Sequence, residues 1–484
     1  MTDIDILFIH PPRNFEHLVD NMKKRSSFLL MPMGLFSMAD LLDRNGYNSK
    51  IVNYSLEKTL HPKFSILKFI KKDHPKVIGV DLHWVQHSAG ALDLLKIIKR
   101  NFPSVFTLLG GFTASYYAKE IMQKYKFIDG IIQGEAELPI IELLNNIKHL
   151  EKVPNLIYRK NQKIYDNGIN YILDDLDQLN FTNVDYLVHW KEYIKYINKV
   201  MHTPWPLEIA RGCQFNCVNC GGSFHSCKII TRRNRVIFRS PERVVDDIRR
   251  LVEKTGYNGV FYGHGVYRAT EKYFMKIHEK LRDEKIRIHS DLEIWRLPIS
   301  DTFFRDYFKT YDVEESMIWF SVRSFSENYR KKFHTRFGEL DKSFDFTNDD
   351  LNKLINKMDK YNIPLRLFWD VGNPFENKID FLKNYLYALK LVFKNISKYK
   401  KLSMWSEPII ISPGCAIELK NETFGIQMTT KTFEDYVRLN RESEMKIAPL
   451  DVGVNFRTST LSKATIDIFN KLMFFINLIS VITV

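Results

Sequence analysis

The segment Arg211-Gly-Cys213-Gln-Phe-Asn-Cys217-Val-Asn-Cys220-Gly-Gly-Ser223 carries three cysteines at spacings of four and three. Thiolates are the protein ligands of iron–sulfur cubes, and three on one short loop suit a single cube. Three ligands for four irons leave one iron open to a further ligand. The chain has five cysteines in 484 residues, so composition alone gives only about 5 × 10⁻⁴ chance occurrences of this pattern. Two other readings of the same residues stay open. One is a structural zinc site, which wants four ligands and would draw the fourth from His225 or Cys227. The other is three unrelated structural cysteines. Sparse cysteines clustered on one loop fit a reducing compartment better than a disulfide framework.

The elements that must position this loop alternate strand and helix. Residues 1–150 give strands at Ile4–His10, Lys50–Asn53, Val77–Asp81, Thr107–Leu109 and Gly130–Ile132. Helical spacing appears at Met33–Arg44, Leu92–Arg100, Ala114–Lys124 and Leu138–Ile147. Such alternation predicts a doubly wound parallel sheet, whose ligands bind beyond the carboxyl ends of the strands. That singles out His10-Pro11-Pro12, His83-Trp84, Gly110-Gly111 and Gly134-Glu135. Residues 151–205 read as a hairpin and a linker closed by Pro204 and Pro206. Residues 206–415 alternate again, with strands at Leu207–Ala210, Gly259–Tyr262, Arg287–Asp291, Met317–Val322, Leu365–Val371 and Leu402–Ile411. Between them helices are expected at Pro241–Thr255, Glu271–Glu284, Asp349–Tyr361 and Ile379–Phe393. Six strands with crossover helices predict a partial (β/α)6 barrel of the TIM type, with chemistry on the loops at the strand C-termini. Residues 416–484 read as a mainly helical C-terminal domain.

Length allows two or three domains, and the composition is that of a folded α/β protein. The net charge of +14 permits an anionic partner, or reflects a Lys- and Asn-rich composition. Its basic clusters (Lys23–Arg25, Arg232–Arg239, Arg330–Arg336, Lys398–Lys401) are scattered and define no nucleic-acid groove. The start, MTDIDILFIHPP, does not read as a signal peptide. The apolar stretch from Leu472 to Val484 is shorter than the roughly 20 residues of a membrane span. It reads as a core-packing element or as an interfacial contact.

The cysteine loop resembles the radical S-adenosylmethionine (SAM) superfamily, whose signature is C-x3-C-x2-C. That resemblance implies a [4Fe–4S] cluster on Cys213, Cys217 and Cys220 whose open iron chelates SAM, and electron transfer that cleaves SAM to a 5′-deoxyadenosyl radical. It also implies SAM contacts at Gly221-Gly222, at Gly263-His264-Gly265, at Asp291 and Glu293, and at Ser324, with Gly372-Asn-Pro374 matching a G-x-P seen in relatives. The N-terminal stretches Pro11-Pro12, Met31-Pro-Met-Gly34-Leu, Asn45-Gly-Tyr47, Val77-Ile-Gly-Val80, Leu109-Gly-Gly111 and Gly134-Glu-Ala-Glu137 resemble the cobalamin-binding domain of the B12-dependent radical SAM class. Asp81-Leu-His83-Trp84 looks most like an uncharacterised archaeal-type branch. The resemblance implies cobalamin contacts at Pro11, Gly34, His83, Trp84, Gly110, Gly111, Gly134 and Glu135. This chain departs from relatives in lacking D-x-H-x-x-G in the first loop. It also has Arg323-Ser324 where relatives commonly carry Glu-Ser.

Several residues have two readings. His83 faces cobalt or bonds a loop; Trp84 flanks the corrin or packs in the core. Cys227 and Cys415 are catalytic thiols or inert buried ones. Asp370 and Glu407 bind substrate or form ion pairs. The resemblance implies a cytoplasmic enzyme, possessing a small-molecule or lipid substrate and an electron donor such as ferredoxin or flavodoxin. The first expected reaction is methylation of an unactivated carbon. The alternatives are cyclisation, ring contraction or carbon–carbon coupling, and a degenerate SAM- and cobalamin-binding protein without activity. A tRNA methylthiotransferase is disfavoured, because its family carries an N-terminal cysteine trio and no cysteine precedes Cys213.

Overall fold

The structure is a computed structural model that describes residues 4–13, 32–197, 204–337, 341–342, 345–397, 401–444 and 454–482. Met31, the Lys23–Arg25 cluster, most of Lys398–Lys401 and the last two residues of the apolar tail lie outside these. The chain divides into two compact units: Met1–His202 with Ser226–Ile237 and Thr430–Ile447, and Thr203–His225 with Phe238–Thr429 and Ala448–Val484.

The first unit is built on a seven-stranded sheet of order β2-β1-β3-β4-β5-β6-β7. Its strands are β1 (Ile6–His10), β2 (Ser49–Asn53), β3 (Val77–Asp81), β4 (Phe106–Gly110), β5 (Gly130–Ile132), β6 (Leu156–Lys160) and β7 (Lys163–Asp166). The first five pair in parallel, and the β6–β7 hairpin adds to β5 antiparallel. β1 is buried along its whole length, which explains its unbroken apolar run: parallel strands covered on both faces need apolar residues at every position. Strand order reverses between β1 and β3, where such sheets open a ligand crevice.

The helices of this unit are α1 (Met33–Arg44), α2 (Tyr54–Leu60), α3 (Ile66–Asp73), α4 (Ser88–Asn101), α5 (Phe112–Tyr116), α6 (Ala118–Lys124), α7 (Glu137–Asn145) and α8 (Trp190–Tyr196). α4 begins four residues before its expected start, and the helix expected over Ala114–Lys124 breaks at Tyr117 into α5 and α6. α2 and α3 have no counterpart among the expected helices. Each is short but capped: Asn53 accepts from Leu56 N, and Ser65 from Lys68 N. At α4 the loop after β1 comes so close that a Cβ on Gly90 would stand 1.9 Å from Pro12 O.

The second unit carries a six-stranded, all-parallel sheet whose spatial order follows the sequence. Chain order runs through β8 (Trp205–Leu207), the short β9 (Ala210–Arg211), α9 (Phe224–Thr231), most of which belongs to the first unit, and the short β10 (Ile237–Phe238). It continues through α10 (Pro241–Thr255), β11 (Gly259–Tyr262), α11 (Glu271–Asp283), β12 (His289–Ile294), α12 (Asp301–Thr310) and β13 (Met317–Arg323). Then come α13 (Glu327–Phe337), α14 (Asn348–Lys360), β14 (Leu365–Val371), α15 (Lys378–Ser397) and β15 (Leu402–Pro408). The large sheet comprises β8, β11, β12, β13, β14 and β15. Sequential parallel strands with crossover helices are the partial barrel expected from the sequence. β8 starts two residues earlier than expected and contains Pro206, which an edge strand accommodates.

Burial alternates on β12 and β13. Leu292, Ile294, Ile318, Phe320 and Val322 are buried on one face. Asp291, Glu293, Trp319, Ser321 and Arg323 occupy the opposite, partly open face.

Residues 416–484 do not form a unit of their own. α16 (Ala416–Leu419) leads to a hairpin of β16 (Ile426–Met428) and β17 (Phe456–Thr458). α17 (Phe433–Glu444) belongs to the first unit, because Phe433, Tyr436 and Val437 make a helical stripe that joins its core. α18 (Lys463–Ile482) covers β15, and its Asn477 donates to Ser406 O at 3.0 Å. Among the described residues no helix is long and apolar enough to cross a membrane.

Candidate active site

The cysteine loop leaves the β8 end of the second sheet. None of the three is in a disulfide: Cys213 is half-buried, Cys217 buried and Cys220 exposed. Two backbone amides donate to sulfur, Phe215 N to Cys213 Sγ at 3.4 Å and Gly222 N to Cys220 Sγ at 3.3 Å. The loop is pinned to the segment that follows β15. Asn219 Nδ2 donates to Ile410 O, Ser412 N to Asn219 O and Ile417 N to Val218 O. A Cβ on Gly221 would stand 2.9 Å from Ser412 Cβ, whereas Gly222 is exposed and a Cβ there would meet only Cys220 Sγ, at 3.8 Å. Of the expected glycine pair, therefore, Gly221 serves the packing of the loop and Gly222 offers open backbone.

Burial pushes the Cys213 thiol up to about 11 and raises Cys217 further, while Lys342 opposes both shifts. Arg323 also acts on Cys217. Buried thiols facing cations suit a group that deprotonates them on binding and leaves net negative charge. Three thiolates on a single zinc ion would be about 3.8 Å apart, given a Zn–S bond of about 2.3 Å. Among the described residues no three donor atoms of this loop lie within 4.8 Å of one another.

The inner face of the sheet approaches this loop. Phe215 packs edge-on against Tyr267 and Trp295. Lys342 Nζ stands 4.7 Å from the Trp295 ring and 2.7 Å from Glu293 Oε1. Glu293 also accepts from Trp295 Nε1 (2.8 Å) and Ser321 Oγ (3.0 Å). Burial would raise this carboxyl, but the Lys342 ammonium and the three donors outweigh it and hold Glu293 below the usual range. Asp291 is the opposite case: burial raises it to about 7, with Trp319 Nε1 donating at 3.3 Å and Arg366 nearby.

The loop after β11 is shaped by packing. A Cβ on Gly265 would meet Trp295 Cδ1 at 2.1 Å, and Gly263 N donates to Leu207 O. Between the two glycines His264 is buried against Trp295, with ring centroids 4.0 Å apart, and burial lowers it to about 4. The structure therefore brings Cys213, Cys217, Glu293 and the Gly263–Gly265 loop together. It does not add Ser324, which is fully buried and bonds Asn384 on α15.

Arg323, Asp370, Cys415 and Glu407 also find their places. Arg323 Nη1 bonds Asp370 Oδ2 at 2.6 Å and its Nη2 bonds Asn219 Oδ1 at 2.9 Å. Cys415 is fully buried, caps α16 through a bond from Glu418 N, and is pushed up to about 12 by burial. Its surroundings are those of an inert thiol. Glu407 is raised to about 7 by burial beside Asp370. Sequence reasoning missed the aromatic wall of this face. Trp319 and Phe368 stack 5.0 Å apart, Arg366 lies over Trp319, and Trp405 is 43% exposed. Period-two alternation on the strands was the signal that could have found it.

In the first unit, the crevice end of the sheet gathers histidines. His10 Nδ1 stands 3.0 Å from both Asp81 oxygens, and the His87 ring lies edge-on 4.9 Å from His10. Burial and the neighbouring His10 push His87 down to about 3. His83 and Trp84 are both exposed, with rings 4.8 Å apart, and His83 also contacts Phe112. Gly111, at φ +104°, admits His83 N where a Cβ would lie 2.7 Å away. His83, Trp84, Gly110 and Gly111 are thus gathered at the carboxyl ends of β3 and β4, next to buried Pro11 at the end of β1. Gly34 is exposed at the start of α1, and Gly134 N donates to Ser115 Oγ. Glu135 is occupied elsewhere: Arg233 grips both its oxygens at 2.6 and 2.8 Å, and Leu173 N donates to it.

Residues 24–144 match the family described as the B12 binding domain. The chain carries a B12-binding domain. Around it, the chain is 27% identical over 274 residues to hopanoid C-3 methylase of Methylococcus capsulatus, covering 54% of this chain and 48% of that protein. It is 28% identical over 173 residues to the anaerobic magnesium-protoporphyrin IX monomethyl ester cyclase of Cereibacter sphaeroides, covering 34% and 26%. The chain thus spans about half the length of the first of these relatives and about a quarter of the second. Its fold is that of TsrM from Kitasatospora setae, a radical SAM methyltransferase solved with tryptophan and an SAM analogue. There the TM-score is 0.65 at 12% identity, over 88% of this chain and 78% of that one. TsrM solved with cobalamin and a [4Fe–4S] cluster matches at a TM-score of 0.64, again at 12% identity, over 90% and 84%. The B12-binding domain and a partial barrel bearing three closely spaced cysteines therefore occur together in one chain.

Proposed function

We propose that this protein is a cobalamin-dependent radical SAM enzyme that methylates an unactivated carbon. The reading rests above all on Cys213, Cys217 and Cys220, three cysteines outside any disulfide on one loop at the end of a parallel partial barrel. When bound, the cluster and cobalamin supply reductive SAM cleavage and methyl carriage. The chain's own residues do the rest. Cys213, Cys217 and Cys220 hold the cluster, with the Lys342 ammonium beside Cys213 and Cys217. Exposed Gly222 and the β11 loop receive SAM, and Asp291 lies on the same face of β12 as Glu293. His83 and Trp84, with Gly110 and Gly111, receive the corrin. Trp319, Phe368 and Trp405 form an apolar wall that excludes water and orients the substrate.

An electron donor such as ferredoxin or flavodoxin completes the system, and a lipid-derived substrate suits the wall and the likeness to a hopanoid methylase. A second reading is cyclisation, favoured by the likeness to the protoporphyrin ester cyclase.

Anaerobic reconstitution tests the assignment. Wild-type protein should bind about four irons per chain, and Cys217→Ala should lose both the cluster absorbance and 5′-deoxyadenosine formation. Retained SAM cleavage in that variant overturns the reading. A product heavier by one CH₂ supports methylation over cyclisation.

A further inference from the structure

A second cluster of metal-ligating side chains lies in the first unit, on elements that the proposed chemistry does not use. Glu57 lies on α2 and His61, four residues later, is its C-cap. His189 and Glu192 open α8, 132 positions later in the chain. Topology brings them together. α2 follows β2 directly, and Val188 N donates to Ile51 O on β2, so residues 187–188 run along that strand to the start of α2. His189 then turns into α8 with φ +55°, a left-handed conformation uncommon for a non-glycine residue. This turn directs Nδ1 at Glu57, 2.9 Å from Oε2 and 3.1 Å from Oε1. The His61 and His189 rings lie 4.5 Å apart, and His61 Nε2 stands 3.3 Å from Glu192 Oε2.

Three features distinguish this group from a surface ion pair. Glu57 is 1% exposed, so its carboxylate is kept from water at a position where an apolar residue would ordinarily pack. His61 Nε2 is buried and makes no hydrogen bond, although a carboxylate oxygen is near. One donor atom from each of Glu57, His61 and His189 lies within 4.8 Å of the other two. Imidazole nitrogen and carboxylate oxygen bind zinc at about 2.0–2.2 Å, which places donors about 3.4 Å apart in a tetrahedron. The observed separations, 2.9 Å for Glu57–His189 and 3.3 Å for His61–Glu192, lie just below that value. Buried polar groups without partners are rare in proteins, and an ion would satisfy His61 Nε2 and Glu57 together.

We propose that Glu57, His61, His189 and Glu192 bind one Zn²⁺ as a closed structural site that fastens α8 to α2. The donor set is two neutral imidazoles and two carboxylates, hence charge-balanced for a divalent ion. Four protein ligands with no open position are the mark of a structural rather than a catalytic zinc site.

The test uses full-length, cluster-loaded protein, so that the cysteine loop is filled with iron. The protein is equilibrated with Zn²⁺ and desalted, and zinc and iron are counted by inductively coupled plasma mass spectrometry. Wild type should hold about one zinc per chain. The His61→Ala/His189→Ala variant should hold less than about a tenth of that, with its iron unchanged. A second measurement guards against a misfolded variant: Zn²⁺ should raise the unfolding temperature of wild type, and a chelator should reverse the rise. Equal zinc in wild type and variant places the ion elsewhere and overturns the site. A wild type without zinc and without a thermal shift overturns it too, leaving Glu57–His189 as an ion pair. Neither result bears on the iron cluster, which is read separately.

Discussion

Arg323 and Asp370 stand 2.6 Å apart on neighbouring strands, each with a side chain only 13% exposed. The pairing depends on an irregularity: the β13–β14 register shifts between Ser321 and Arg323, and Arg323 takes φ +61°. That twist re-aims the guanidinium along the inner face. Its other arm holds Asn219, which in turn ties the cysteine loop to Ile410. The Arg323 cation is paired with a carboxylate of this chain. The reversed charge expected from the sequence is therefore absorbed locally, between β13 and β14. Arg323→Ala leaves Asp370 buried without its cation and should cost about 3–5 kcal/mol. Arg323→Met/Asp370→Asn, which removes both charges, should recover most of that loss. Chemical denaturation measures both. A single variant as stable as wild type would show that Asp370 simply takes up a proton.

Glu376 gives the protein a pH-dependent stability. It is fully buried below Gly372-Asn373-Pro374 and accepts from Gly372 N, Asn373 N and Asn384 Nδ2. Burial outweighs these donors and raises the carboxyl from 4.5 to about 8. In the unfolded chain the same group ionises near its ordinary value. Between roughly pH 4.5 and 8 the folded state thus keeps a proton that the unfolded state has lost. The stability linked to Glu376 is whole below that window and falls as the pH rises through it. Glu376→Gln should flatten the decline of unfolding free energy with pH by up to about one proton's worth, near 1.4 kcal/mol per pH unit. Unfolding midpoints from pH 5 to 8 check this. Parallel profiles for wild type and variant would show that Glu376 is ionised in the folded protein.

Much of this architecture is legible in the sequence because it rests on local periodicity. The helix at Pro241–Thr255 and the strands at Val77–Asp81 and Leu365–Val371 match their expected limits, since capping residues and apolar runs mark their ends. The cysteine loop is legible because three identical ligands at fixed spacing leave little ambiguity. Long-range partners are less visible. Nothing near Glu135 in the sequence announces Arg233, 98 positions later, yet that cation decides its environment. Ser324 and Gly265 follow the same pattern: a family motif named them, but Asn384 and the Trp295 ring determine how they pack. The sequence alone places α17 in a separate tail, because the stripe Phe433, Tyr436 and Val437 specifies that a helix buries one face without saying against what.

The exposed faces of α15 and α18 give a last prediction. On α15 Ile379, Leu382, Leu386 and Phe393 are more than half exposed, and on α18 Ile468 and Phe475 reach 57% and 58%. The two helices pack on each other. Lys383, Lys390, Lys394, Lys463 and Lys471 are exposed on the same two helices. Apolar residues interspersed with lysines are the composition of an interfacial helix, which sinks one face into a bilayer surface without crossing it. Each lysine near anionic headgroups adds about 1 kcal/mol of attraction. Contact with a membrane would bring a lipid-derived substrate to the protein at its source. Co-sedimentation with phosphatidylcholine vesicles containing phosphatidylglycerol should therefore retain the wild type at low salt and release it as salt rises. Leu386→Glu/Phe475→Glu changes only exposed positions and should abolish retention while leaving the unfolding temperature unchanged. Retention by neutral vesicles alone would assign the contact to the apolar residues without the lysines. Equal retention of wild type and variant would remove this surface from membrane binding altogether.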